Sequence, residues 1–258
     1  MNEFRQHPAA PAQHTRDGTA LFLDLDGTLA EFHADPAKVR LDPALVALIG
    51  ILRQALGGAL AVISGRRIGD LDRLLQPLKL PLAGLHGRER RDASGRWHCM
   101  PPDPALDAVR PRVAAFAAGH RGVMLEDKQS ALALHYRCAP DWADAVHAFA
   151  TELAAETGSA LHVLEGKMVA ELIGGNADKG TAIAAFMAEA PFLGRRPVFL
   201  GDDRTDEDGF RAVNAAGGLS VKIGEGPTVA RQRLSDIAAA TEWLRAFARV
   251  AAPEEPGR

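Results

Sequence analysis

The sequence predicts an α/β fold: a doubly wound, Rossmann-like parallel-sheet core with an inserted α+β domain. Three observations predict it. Short apolar runs alternate with stretches of helical character, the pattern of parallel strands covered on both faces. Two of the runs end in groups suited to chemistry, Asp24-Leu25-Asp26-Gly27-Thr28 and Ser64-Gly65-Arg66. In such sheets the site lies at the carboxyl ends of the strands. From about Asp103 the alternation gives way to helix, hairpin, helix, hairpin.

Taken in order, Thr19–Asp24 reads as a buried strand. Asp42-Pro43 supplies an N-cap and a first-turn proline for a helix through about Leu56. Residues 59–63 form the next buried strand, and 68–75 a helix broken by Pro77 and Pro81. Residues 82–85 make a short strand leading into His86-Gly87-Arg88-Glu89, and Ser94-Gly95 turns a hairpin. In the insertion, Asp103-Pro104 opens a helix to about Ala118, and strands follow at 123–128 and 131–137. A helix covers 142–156, and strands take 160–164 and 168–173. Gly174-Gly175-Asn176 reads as a hinge back to the core. The core resumes with a helix from Lys179 to about Glu189 and the strand 197–200. The expected division is therefore a core of 18–102 and 175–258 with a cap of 103–174.

Bulk properties narrow the function. A chain of 258 residues with 47% hydrophobic and 24% charged residues can bury a large core. A net charge of −3 offers no global basic field for nucleic acid or an anionic membrane. Cys99 and Cys138 are isolated thiols, which suits a reducing compartment. The N-terminus lacks the apolar region of a signal peptide, and no apolar stretch is long enough to span a bilayer. A cytoplasmic protein is expected, with residues 1–17 disordered and the tail from 251 mobile.

Two carboxylates two positions apart after a strand repel unless a cation sits between them or one keeps its proton. Asp24 and Asp26 thus suit a hard metal ion, nucleophile-plus-acid chemistry, or both. Ser64 and the Gly65 amide are strand-end donors. Lys179, near the positive end of a helix, is disfavoured there unless it faces an anion. Gly201-Asp202-Asp203-Arg204-Thr205-Asp206-Glu207 concentrates negative charge after a buried strand. These four motifs, in this order, resemble those of the haloacid-dehalogenase-like phosphohydrolases. That resemblance implies Asp24 as nucleophile and metal ligand. It implies Asp26 as acid–base group, ligating Mg²⁺ through its backbone carbonyl, and Asp202 as a third ligand. Asp203 and Asp206 would stand behind the metal, while Thr28, Ser64, Gly65 and Lys179 would hold the phosphoryl group.

The wording of the insertion narrows the resemblance. Gly84-Leu-His-Gly-Arg-Glu89, Leu125-Glu-Asp-Lys128, Leu134-His-Tyr-Arg137 and Glu165-Gly-Lys167-x-x-x-Glu171 are similar to segments of trehalose-6-phosphate phosphatases. So are Asp178-Lys179-Gly180 and the acidic loop after residue 200. The resemblance implies that Glu126, Lys128 and Glu165 bind the hydroxyls of the distal glucose. It places Arg66, His86 and Arg137 near the phosphorylated sugar or its phosphate. Leu25, where the family often has another residue, is expected to point into the core. The implied activity is Mg²⁺-dependent hydrolysis of trehalose 6-phosphate, with a separate trehalose-6-phosphate synthase as a possible partner. The alternatives are the same architecture acting on another sugar phosphate, such as sucrose 6-phosphate, a mutase, or a sugar-phosphate-binding regulator without catalysis. The intact acidic and basic motifs argue against the regulator.

Overall fold

The computed structural model describes residues 18–31, 33, 38–101, 103–128, 131–158, 160–175 and 177–251. The expectations for residues 1–17, the tail from 252 and Asn176 lie outside these. The described residues group into two compact units. One holds the chain up to His98, Asp178–Asp202 and Asp206 onward; the other holds Cys99–Ala177 with Asp203–Thr205.

The first unit is built on a sheet whose six parallel strands are β1 (Thr19–Leu23), β2 (Leu60–Ile63), β3 (Leu82–Gly84), β10 (Arg196–Gly201), β11 (Leu219–Ile223) and β12 (Gln232–Leu234). Their order is β12-β11-β10-β1-β2-β3, continued by β4 (Glu89–Arg91), antiparallel to β3, and β5 (Trp97–Cys99). The chain winds outward from β1 in one direction, then returns to β10 and winds in the other. The reversal falls between β1 and β10, where the loops after the two strands diverge and leave a crevice.

Alternation along β1 explains the two cores. Leu21 and Leu23 face helices α1 (Pro43–Ala55), α2 (Ile68–Leu74) and α7 (Ile237–Ala251). Ala20 and Phe22 face α5 (Lys179–Met187) and α6 (Glu207–Ala215). Leu25 is fully buried in the first of these cores, as expected. The Asp42 cap holds as read, accepting from the Ala44 amide at 2.8 Å with Pro43 in the first turn. α5 ends earlier than expected, at Met187. The elements α6, β11, β12 and α7 are ones the sequence reading did not assign.

The second unit is a four-stranded antiparallel sheet, order β6-β7-β9-β8, with two helices on one face. The strands are β6 (Met124–Asp127), β7 (Ala131–His135), β8 (Leu161–Gly166) and β9 (Val169–Gly174); the helices are α3 (Pro104–Gly119) and α4 (Ala143–Glu156). Asp103 caps α3 through the Ala105 amide at 2.9 Å. Its carboxylate fills the space a Cβ at residue 174 would need, so the return strand must end in Gly174.

Candidate active site

The nucleophile candidate stands one residue past β1. Asp24 is 4% exposed, and its amide donates to the Leu200 carbonyl of β10 at 2.9 Å. Asp24 Oδ1 accepts from Lys179 Nζ at 2.7 Å, while Asp24 Oδ2 has no hydrogen-bond partner within the chain. Lys179 opens α5, so the anion its sequence position called for is Asp24, joined by Asp206 at 2.6 Å. Asp206 turns its other oxygen to the Asp202 amide at 2.9 Å. Gly201 makes this possible, because a Cβ there would lie 2.4 Å from the Asp206 carboxyl carbon.

These groups perturb one another. Burial pushes the Asp24 carboxyl well above the usual carboxylate range; Lys179 opposes that shift, and Asp206 and Asp202 add to it. For Lys179 burial acts to lower the ammonium's pKa, but Asp206 and Asp24 outweigh it and hold it raised.

Asp24, Asp202 and Asp206 bring one oxygen each to within 4.8 Å of one another, a set that could hold a metal ion. Two further observations fit a hard cation. The buried Asp24 Oδ2 needs a partner. Gly27, at φ +89°, leaves room where a Cβ would stand 2.1 Å from Asp202 Oδ2. Asp206, expected behind the metal, has an oxygen within reach of this set, but both its oxygens are engaged by Lys179 and the Asp202 amide. Asp203 instead accepts from the Arg204 amide at 2.7 Å.

Asp26 turns away from this cluster. Its carboxylate takes both arms of the Arg66 guanidinium, Nε to Oδ2 at 2.6 Å and Nη2 to Oδ1 at 2.7 Å. Arg66 was expected near sugar or phosphate; in the structure it meets the acid–base candidate. Thr28 is fully buried, and its hydroxyl has no partner within the chain. Ser64 Oγ accepts from the Arg66 amide at 3.2 Å, which leaves its proton to donate. His86 is brought beside these donors: its amide donates to the Ser64 carbonyl at 3.0 Å. A Cβ on residue 65 would lie 2.6 Å from His86 Nε2, so only glycine admits the ring. Leu85 and His86 both adopt positive φ, 51° and 56°, a strained conformation for non-glycine residues that tends to occur at functional sites.

Lys222 was missed by sequence reading. It is buried on β11, in register with Gly201, and its ammonium donates to the Asp202 carbonyl. A lysine inside the run Ser220-Val221-Lys222-Ile223 was the available signal.

In the second unit the strand register sorts the polar residues. Leu125, Leu134, Ala170, Leu172 and Val163 face α3 and α4. Alternation then puts Glu126, Lys128, Ala133 and Glu171 on the opposite face. The pairings Glu126–Ala133 and Ala133–Glu171 align them across the sheet, and Lys128 Nζ meets Glu171 Oε1 at 2.9 Å. Glu126 Oε2 accepts from His135 Nε2 at 2.8 Å, a bond that holds the Glu126 carboxyl below its ordinary range. Glu165 pairs with Ala170 and so belongs to the helix side, where it contacts His147 of α4 and forms an ion pair with Arg204. This corrects the grouping of Glu165 with Glu126 and Lys128: a period of two places Glu171 there instead. Arg137 donates to the Lys167 carbonyl at 3.2 Å.

Residues 22–240 match the sequence model of the family described as Trehalose-phosphatase. The chain is 45% identical over 226 residues to "Trehalose-6-phosphate phosphatase" of Escherichia coli (strain K12), covering 87% of this chain and 85% of that protein. It is 42% identical over 229 residues to "Probable trehalose-phosphate phosphatase" of Sinorhizobium fredii, covering 89% and 86%. The structure of the Candida albicans trehalose-6-phosphate phosphatase C-terminal domain superimposes with a TM-score of 0.83 at 22% identity. It covers 91% of this chain and 93% of that one, and shows a shared fold.

Proposed function

This chain belongs to the trehalose-phosphatase family of haloacid-dehalogenase-like phosphohydrolases, and from that premise we propose how its own residues hydrolyse trehalose 6-phosphate to trehalose and phosphate. The enzyme is a phosphoric monoester hydrolase. Asp24 attacks phosphorus through a carboxylate oxygen, the bond from phosphorus to the sugar's 6-oxygen breaks, and Asp26 passes a proton to that oxygen. Asp26, now a carboxylate, takes a proton from water. The water oxygen bonds to phosphorus, the bond from phosphorus to Asp24 breaks, and phosphate leaves. Lys179 favours the ionised form of Asp24 against the cost of its burial and, with Thr28, Ser64 and the Gly65 amide, holds the phosphoryl oxygens. His86 borders the phosphorylated sugar.

Magnesium is the cation this donor set suits: Asp24, Asp202 and the Asp26 carbonyl would hold it, and it supplies the positive charge that lets an anionic nucleophile meet an anionic ester. Asp206 steadies Lys179 and the Asp202 loop, and Asp203 shapes the turn beyond it. Glu126, Lys128 and Glu171 offer acceptors and a donor suited to the hydroxyls of the unphosphorylated glucose; Arg137 stands at the end of the same hairpin. A trehalose-6-phosphate synthase activity supplies the ester.

Asp24 carries the reading: it is a buried carboxylate with one oxygen on a buried lysine and the other available at a strand end. The test is phosphate release with and without Mg²⁺ from trehalose 6-phosphate, sucrose 6-phosphate and glucose 6-phosphate. Metal-dependent preference for the trehalose ester is expected. Asp24→Asn should abolish release with circular dichroism unchanged. Preference for another ester would overturn the substrate, and turnover by Asp24→Asn would overturn the mechanism.

A further inference from the structure

We propose that Arg66 is the positioning residue of Asp26, fixing the plane in which that carboxylate meets the leaving sugar oxygen and the attacking water. The inference rests on Asp26 being the acid–base group of the reaction above. Two cations pair with three of the site's carboxylates. Lys179 serves Asp24 and Asp206; Arg66 serves Asp26 through two parallel hydrogen bonds of 2.6 and 2.7 Å. A carboxylate on a single-bonded stem turns freely about its last torsion. A fork held at both oxygens removes that freedom and leaves one lone pair on each oxygen for a reacting group. A lysine, as a point charge, does not fix a plane.

The backbone of Arg66 is itself fixed by the site. Its amide donates to Ser64 Oγ at 3.2 Å, and its carbonyl accepts from the Leu85 amide at 3.0 Å, next to His86. The loops after β1, β2 and β3 therefore converge on this one residue, the first through its side chain and the others through its backbone. The Arg66 and Asp26 side chains are 13% and 23% exposed, so the pair is largely sheltered yet still reached by solvent. A surface ion pair formed by chance would have neither the fork nor the anchored backbone.

The test reads dependence on the leaving group. Rapid quench follows first-turnover release of the alcohol or phenol from an aryl phosphate, a simple alkyl phosphate and trehalose 6-phosphate, all with Mg²⁺. Phenolate leaves with little need of a proton; alkoxide does not. Arg66→Gln should lose about tenfold or more on the alkyl ester than on the aryl ester, with the trehalose ester following the alkyl one. Arg66→Lys, which keeps the charge and preserves folding should the glutamine variant fail, should show the same leaving-group bias. In an Asp26→Asn background, Arg66→Gln should add little, because the two act as a unit. Equal loss on all three esters would make Arg66 a phosphate contact and overturn the proposal. Loss confined to trehalose 6-phosphate would make it a sugar contact and overturn it too. If Asp26→Asn itself shows no leaving-group bias, the acid–base reading fails, whatever Arg66 does.

Discussion

Lys179 and Asp24, 155 residues apart in the chain, meet as a buried ion pair of 2.7 Å, and Asp206 meets the same ammonium at 2.6 Å. Removing one partner of a buried pair leaves an uncompensated charge, which typically costs about 3–5 kcal/mol. Lys179→Met should therefore lower the stability of the metal-free protein by that order and abolish phosphate release. Millimolar Mg²⁺ should recover part of the stability, since a divalent cation answers the same carboxylates. Denaturant unfolding with and without the metal checks this; an unchanged midpoint would mean that the lysine is not the structural counter-ion.

Gly27 and Asp202 make a second such relationship. An alanine at residue 27 would place its Cβ inside the Asp202 carboxylate and force a positive φ on an L-residue. Gly27→Ala should displace Asp202 and weaken metal binding about tenfold or more, near 1.4 kcal/mol. Calorimetric titration with Mg²⁺ reads this directly, and wild-type affinity in the variant would remove Asp202 from the ligand set.

The strand register of the second unit predicts which glutamates read the sugar. Glu126→Ala and Glu171→Gln should each reduce kcat/KM on trehalose 6-phosphate by roughly tenfold or more relative to an aryl phosphate, because remote contacts contribute only when the remote sugar is present. Glu165→Ala, on the helix side, should change both substrates in similar proportion. A selective defect in Glu165→Ala with none in Glu171→Gln would reverse the assignment.

Away from the site, Asp92 organises the hairpin between β4 and β5. It accepts from the Ser94 amide at 2.9 Å, the Ser94 hydroxyl at 2.6 Å and the Arg96 amide at 2.9 Å, and contacts His98 Nε2 at 2.8 Å. The His98 contact first, then the Ser94 hydroxyl, hold its carboxyl far below the ordinary value of 3.8. A depressed carboxyl stabilises the fold fully above that ordinary value, and the contribution drains away as pH falls through the lower folded one. Asp92→Asn should thus melt below wild type at neutral pH, with the gap closing as pH falls below about 4. A gap independent of pH would show that shape, not charge, is what the hairpin needs.

Much of this was legible in the chain. The alternation of strands and helices, the caps at Asp42 and Asp103, and the carboxylates and hydroxyl at strand ends are local signals, written in a few neighbouring residues each. The last third was harder. β11 carries a lysine and β12 is three residues long, so neither reads as a buried strand, and both owe their place to neighbours already in the sheet. Lys222 escaped notice for that reason. Glu165 and Glu171 show the limit from another side: their motif is visible, but which glutamate joins Glu126 depends on pairing with Ala133.

The sequence by itself determined the fold class and the family, and it pointed to a candidate nucleophile with acidic and basic companions, because each rests on short motifs in fixed order. Tertiary structure alone decided the partnerships: Lys179 with Asp24 and Asp206, Arg66 with Asp26, Lys128 with Glu171, Lys222 with the Asp202 carbonyl. The physical reason is that a charge chooses its counter-charge by distance in space and by burial, and neither quantity is set until distant strands are laid side by side.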